Sequence, residues 1–117
     1  MIKQAVAIDV DSSPNFMSWQ CGYTHCLTAS RGKTSGFYIT SHGRKNSLDE
    51  MMKLQGMSPK DLKGWKSYMA RGSMNHALGN AMSGNILQRV LPRALTAGGL
   101  ARPVPDRWLD KSYRFWA

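Results

Sequence analysis

The chain has 117 residues, enough for one small domain or a piece of a larger one. It carries 16 Lys and Arg against 7 Asp and Glu, a formal charge of +9, and 42% of its residues are apolar. That is too apolar for a disordered basic tail, and no run approaches the roughly 18 apolar residues of a membrane span.

The N-terminus lacks a long apolar core behind a basic start, so no secretory signal is visible. Two cysteines, Cys21 and Cys26, do not make a disulfide framework. The expected setting is intracellular and reducing: the nucleus of a eukaryote, otherwise a cytoplasm, with no membrane partner. A domain of this size hides about 65% of its unfolded surface. It has little room for both a cofactor cleft and a macromolecular groove, so pieces of such an enzyme would imply that the rest lies elsewhere. The charge is uneven. Residues 31–93 hold eleven bases and three acids, a net of +8, whereas residues 1–30 are at −1 and residues 94–117 at +2. A middle section this basic suits a phosphate backbone, or simply a solvated face.

In chain order, Gln4 to Val10 reads as a strand, with Val6, Ile8 and Val10 at a period of two. Asp11-Ser12-Ser13-Pro14-Asn15 breaks it. Cys26-Leu27-Thr28 suits a short extended piece, and Arg31–Gly36 a flexible basic loop. Phe37-Tyr38-Ile39-Thr40 reads as a second strand. Ser47-Leu48-Asp49-Glu50 is a capping box, so the spacing predicts a helix from Ser47 to Leu54 with Leu48, Met51 and Met52 on its apolar face. Gly56 is placed to stop it.

Ser58-Pro59-Lys60-Asp61 predicts a short second helix. Ser73 is expected to cap a further helical turn that Gly79-Asn80-Ala81 interrupts. The longest helix is expected at about Ser83 to Ala97, with Leu87, Val90, Leu91, Ala94 and Leu95 on one side, a kink at Pro92 and an end at Gly98-Gly99. The tail is aromatic: Trp108, Tyr113, Phe115 and Trp116 are expected to pack over the last helix. The fold class expected is α/β, an α+β fragment with a few short strands followed by two or three helices, as at the end of a larger protein.

Two ordered constellations stand out. The first is Thr24-His25-Cys26-Leu27-Thr28-Ala29-Ser30-Arg31-Gly32, followed by Arg44 to Met57 with Glu50 and Leu54-Gln55-Gly56. The second is Leu78-Gly79-Asn80-Ala81-Met82-Ser83-Gly84-Asn85. In this order they resemble the C-terminal end of the DNA cytosine-5 methyltransferases, over roughly residues 20–100. That family ends its recognition region with a threonine-rich turn. An arginine, a glutamate and a Leu-Gln-Gly-like helix end follow, and a Gly-Asn-Ala/Ser-Val-like motif opens a long helix.

The resemblance implies the C-terminal part of a Rossmann-like, S-adenosylmethionine-dependent enzyme that transfers a methyl group to C5 of cytosine in DNA. Residues 1–45 would close the target-recognition region, 46–100 would return to the catalytic domain, and 101–117 would be a tail. Asn80 and Ala81 would contact S-adenosylmethionine, with Gly79 and Met82 as packing neighbours. Gly79 would permit close approach to a ligand, and Asn80 would stand at the N-terminal end of the long helix, where a carboxylate is favoured. Met82 departs from the usual valine. Thr28, Ser30, Arg31 and Arg44 would face DNA. Ser47 and Glu50 are structural, through the capping box.

No catalytic residue is expected in this chain. The family's Pro-Cys nucleophile, its Glu-Asn-Val motif and its Phe-x-Gly-x-Gly turn are not in the sequence. Cys21 and Cys26 read as small, partly buried thiols. With His25 and His42 they match no common zinc spacing, so no metal is expected. The methionines 51, 52 and 57 read as core. The partners expected are DNA and a second chain or upstream region carrying the catalytic motifs. The alternatives are a non-enzymatic basic DNA-binding module and a decayed fragment.

Overall fold

The computed structural model describes residues 4–106 and Leu109. The chain divides into two compact units, residues 1–81 and 82–117.

The first unit is built on a four-stranded antiparallel sheet in the order β2-β1-β3-β4. Strand β1 (Val6–Ile8) lies inside the expected Gln4–Val10 segment but is shorter. Asp9 ends it: Ser12 Oγ donates to the Asp9 carbonyl, and Asp9 Oδ1 accepts the Asp11 N–H. The alternation also faces the other way from the sequence pattern. Ala7 is buried, while Val6 and Ile8 are half-buried and Val10 is exposed. Strand β2 (Trp19–Cys21) pairs with β1 in the register Val6 to Cys21 and Ile8 to Trp19. It is an edge strand with exposed ends and no apolar alternation, so periodicity does not reveal it.

The expected loop at 31–36 is instead the end of a short helix, α1 (Ala29–Lys33). The Thr28 hydroxyl caps it by accepting the Arg31 N–H. Its far end is a Schellman turn: Ser35 donates to the Gly32 carbonyl and Gly36 to that of Arg31, with φ of +67° at Ser35 and +69° at Gly36. Gly32 and Ser35 lower the helix propensity of this stretch, so the helix depends on these caps and on what packs against it. The expected extended piece at Cys26–Thr28 is irregular.

Strand β3 (Tyr38–Ile39) lies within the expected second strand, and β4 (Arg44–Lys45) returns beside it through a loop in which Gly43 takes φ +63°. The buried Asn46 follows. Its Oδ1 accepts the Phe37 N–H at 2.8 Å, and its own N–H donates to the Phe37 carbonyl.

Helix α2 (Leu48–Leu54) has the predicted capping box in full. It ends as predicted at Gly56, φ +70°, with Gly56 donating to the Lys53 carbonyl and Met57 to that of Met52. The helix expected from Ser58 is not formed. Asp61 accepts the Ser58 N–H as a cap would, but the chain goes into turns and then a single 3-10 turn, Trp65–Ser67, because Gly64 sits at φ +81°. Helix α3 (Arg71–Asn80) starts two residues before Ser73 and runs through Gly79-Asn80, where an interruption was expected.

Leu48, Met51, Met52, Met74 and Leu78 form the core between α2 and α3, with Leu27, Met57, Leu62 and Trp65 packed against it. Each fully buried methionine contributes about 2 kcal/mol.

In the second unit, α4 (Gly84–Ala97) continues through Pro92 and ends as expected. Gly98 caps it, and a Schellman turn through Gly99 joins Leu100 to the Leu95 carbonyl. Asp106 binds Arg89 and Arg93 of α4. None of the residues of α4 is buried: Val90, Leu91 and Leu95 on its apolar side are exposed. The aromatic positions 108, 113, 115 and 116 lie outside the described residues. Among those described, no helix is long and apolar enough to cross a membrane.

Candidate functional site

The two motif segments meet at the C-terminal end of α3. A Cβ on Gly79 would collide with the Thr28 carbonyl and with Ala29 Cα, and a Cβ on Gly32 would collide with the Asn75 carbonyl. α1 and α3 therefore cross on two glycines, backbone against backbone. Gly79 spends its freedom on α1, which leaves its face closed to a ligand. A second tie comes from Gln55, the middle of Leu54-Gln55-Gly56, whose buried Nε2 donates to the Leu78 carbonyl at 2.8 Å. Thr28 and Ser30 lie on this side of the unit, their hydroxyls 3.2 Å apart.

Asn80 is exposed, as is Met82, and Ala81 is half-buried. Asn80 is the last residue of α3 and stands four residues before α4, so the expected placement at a helix N-terminus is corrected. A helix C-terminus carries partial negative charge and favours a cation over a carboxylate. Of the four positions, Asn80 retains a side-chain donor and acceptor exposed to solvent, which fits a ligand contact.

The two arginines expected to face DNA lie elsewhere and are paired. Arg31 Nε is 2.8 Å from Asp9 and ties α1 to the end of β1. Arg44 makes a bidentate pair with Glu50, at 2.9 and 3.0 Å. Glu50 also accepts the Ser47 N–H at 2.7 Å, and His42 Nδ1 lies 3.2 Å away. Arg44 first, then Ser47 and His42, hold the Glu50 carboxyl down to about 2 against partial burial. Lys45 pairs with Asp11, which holds that carboxyl below its usual range.

Several contributors were not singled out from the sequence. Asp9, Asp11 and Lys45 find partners 22 or 34 residues away, a separation that leaves no local pattern. Asn46 could have been read from its place just before a capping box.

The thiols are exposed rather than partly buried. Cys21 donates to Gln4 Oε1, and His25 shares a hydrogen bond with Ser18 and stacks at a tilt on Phe37. Among the described residues no group of three His, Cys, Asp or Glu could hold a metal.

The described residues of this unit line a cleft and a groove, both open. A cleft of about 710 Å³ runs between the start of α2 and the segment before α3, with Asp49, Pro59, Trp65, Lys66, Met69 and Arg71 in its wall. A groove of about 350 Å³ lies between the sheet and α2, lined by Ala7, Tyr23, Ile39 and Leu54 with His42 and Lys53 at its edge.

The chain matches no family model, no curated protein and no solved structure.

Proposed function

We propose that this chain is the C-terminal part of a DNA cytosine-5 methyltransferase of Rossmann-like fold, which acts with a region or partner chain supplying the nucleophile and most of the cofactor pocket. The observation that carries this reading is the ordered set of motifs from Thr28 to Asn80. In its favour, those motifs are physically joined, through Gly79 against Thr28 and Gln55 on Leu78.

In that reading Asn80 and the Ala81 backbone hold S-adenosylmethionine, whose sulfonium supplies the methyl group. Two or three hydrogen bonds of about 1 kcal/mol each fall far short of the ~8 kcal/mol of micromolar affinity. The chain alone therefore neither binds the cofactor tightly nor transfers methyl groups.

The test is transfer of a labelled methyl group to cytosine DNA. None is expected from the chain alone. Transfer is expected when it is fused behind the N-terminal two-thirds of a single-chain enzyme of the family. A folded fusion that binds DNA yet stays silent overturns the reading, as does a micromolar dissociation constant for S-adenosylmethionine with the chain alone.

A second reading, a basic module that binds DNA through charge, is favoured by the exposed cations from Lys60 to Arg71. It requires binding without cofactor and a steep salt dependence.

A further inference from the structure

We infer that duplex DNA meets this chain through its phosphates along the connection between α2 and α3, at Lys60, Lys63, Lys66 and Arg71, and not at Arg31 or Arg44. Duplex DNA as partner rests on the methyltransferase reading. The surface rests on charge, exposure and pairing.

Arg31 and Arg44 are occupied. To reach a phosphate, Arg44 would give up two hydrogen bonds to Glu50 and leave that half-buried carboxylate with His42 beside it. Arg31 would leave Asp9, whose side chain is 14% exposed. Abandoning a partly buried acid costs more than an exposed phosphate contact returns.

The cations of the connection have no such obligation. Lys60, Lys63, Lys66 and Arg71 are all exposed, and among the described residues none has an acidic partner within ion-pair range. The acid inside the segment, Asp61, is turned to its own backbone at Ser58. Lys66 and Arg71 share the wall of the 710 Å³ cleft with Asp49, which among the described residues forms no ion pair with either.

The backbone beneath them is anchored. Hydrogen bonds from Asp61 to Ser58, Trp65 to Leu62, Ser67 to Gly64 and Tyr68 to Trp65 close successive turns, and Leu62 and Trp65 pack on the core. Binding then orders side chains and not a loop, which lowers its entropic cost.

The local structure argues against a lipid surface. Leu62 and Trp65 pack on the core, Tyr68 and Met69 are exposed singly on turns, and the described residues of this segment form no amphipathic helix to insert. Lysines as mobile point charges suit a phosphate backbone without base specificity.

The test uses the full chain and a labelled duplex of about 20 bp, titrated by fluorescence anisotropy between about 50 and 200 mM salt. The variant K60Q/K63Q/K66Q is compared with K33Q/K53Q/R102Q, which removes the same charge from exposed positions elsewhere. Among the described residues no lysine Nζ of the first set makes a hydrogen bond, and Lys66 Nζ only lies over the Trp65 ring at 6.0 Å from its centroid, so thermal melts of both variants should stay close to the parent's.

The first variant should lower the slope of log K against log salt by about 2.7, and the second by less than about 1. Equal losses from the two overturns the surface. A parent chain that prefers phosphatidylserine vesicles or polyglutamate to the duplex overturns the partner. Either failure leaves the methyltransferase reading standing if the fusion still transfers methyl groups, and a silent fusion with the expected slopes overturns that reading alone.

Discussion

Glu50 accepts from the Ser47 N–H and from both terminal nitrogens of Arg44, so the residue that completes the capping box of α2 also ties β4 to it. Its carboxyl is held at about 2 in the fold, against an ordinary 4.5. A group depressed in the native state stabilises it fully above its unfolded value, and that contribution is lost as pH falls through the folded one. The window is therefore about pH 4.5 down to 2. Glu50→Gln can still reach back to the cap but no longer titrates. Its melting temperature should lie below the parent's at pH 7, with the gap closing by pH 2; a gap that stays constant over that range would argue against the pair. At Ser35 the strain is in the backbone. A non-glycine residue at φ +67° costs about 1 kcal/mol, so Ser35→Gly should raise stability in urea by about 0.5–1 kcal/mol. A loss of stability would show that the Ser35 side chain does more than endure the turn. Of these two residues the first was legible in sequence, because a capping box spans four positions. The second was not, since its left-handed turn follows from where α1 must end.

The crossing of α1 and α3 depends on two glycines, and neither is explained by its own helix. Gly79→Ala would drive a methyl group into the Thr28 carbonyl, an overpacking that costs about 2–3 kcal/mol. Gly72→Ala on the same helix meets nothing within 4 Å and should be neutral or gain up to about 1 kcal/mol. Denaturant melts of the two variants make the comparison. Similar effects would mean that the helices do not cross on these residues. The Leu-Gln-Gly string was legible as a helix end, and Gly56 behaves as one. That Gln55 reaches the Leu78 carbonyl, 23 residues on, was not, because a buried amide and its acceptor leave no spacing rule. The stretch 58–64, which the sequence pattern predicts as a helix, forms turns for a related reason. Proline and a capping acid permit a helix start, but Gly64 and the packing of Leu62 and Trp65 favour turns.

For the molecule as a whole, the methyltransferase reading assigns the apolar side of α4 to the missing catalytic region. Leu91 is exposed on that side, so Leu91→Asp should leave the melt of this chain within about 0.5 kcal/mol while abolishing its co-purification with the catalytic part. Unchanged assembly would remove α4 as the interface. The charge excess, the capping box, the helix stops at Gly56 and Gly98-Gly99, and the span of α4 were determined by the sequence alone, because each depends on neighbours within one or two turns. Tertiary structure alone decided which cations remain unpaired, that four short strands close one sheet, and that Gly79 faces a helix. Each depends on groups far apart in the chain, where only the fold sets the distance.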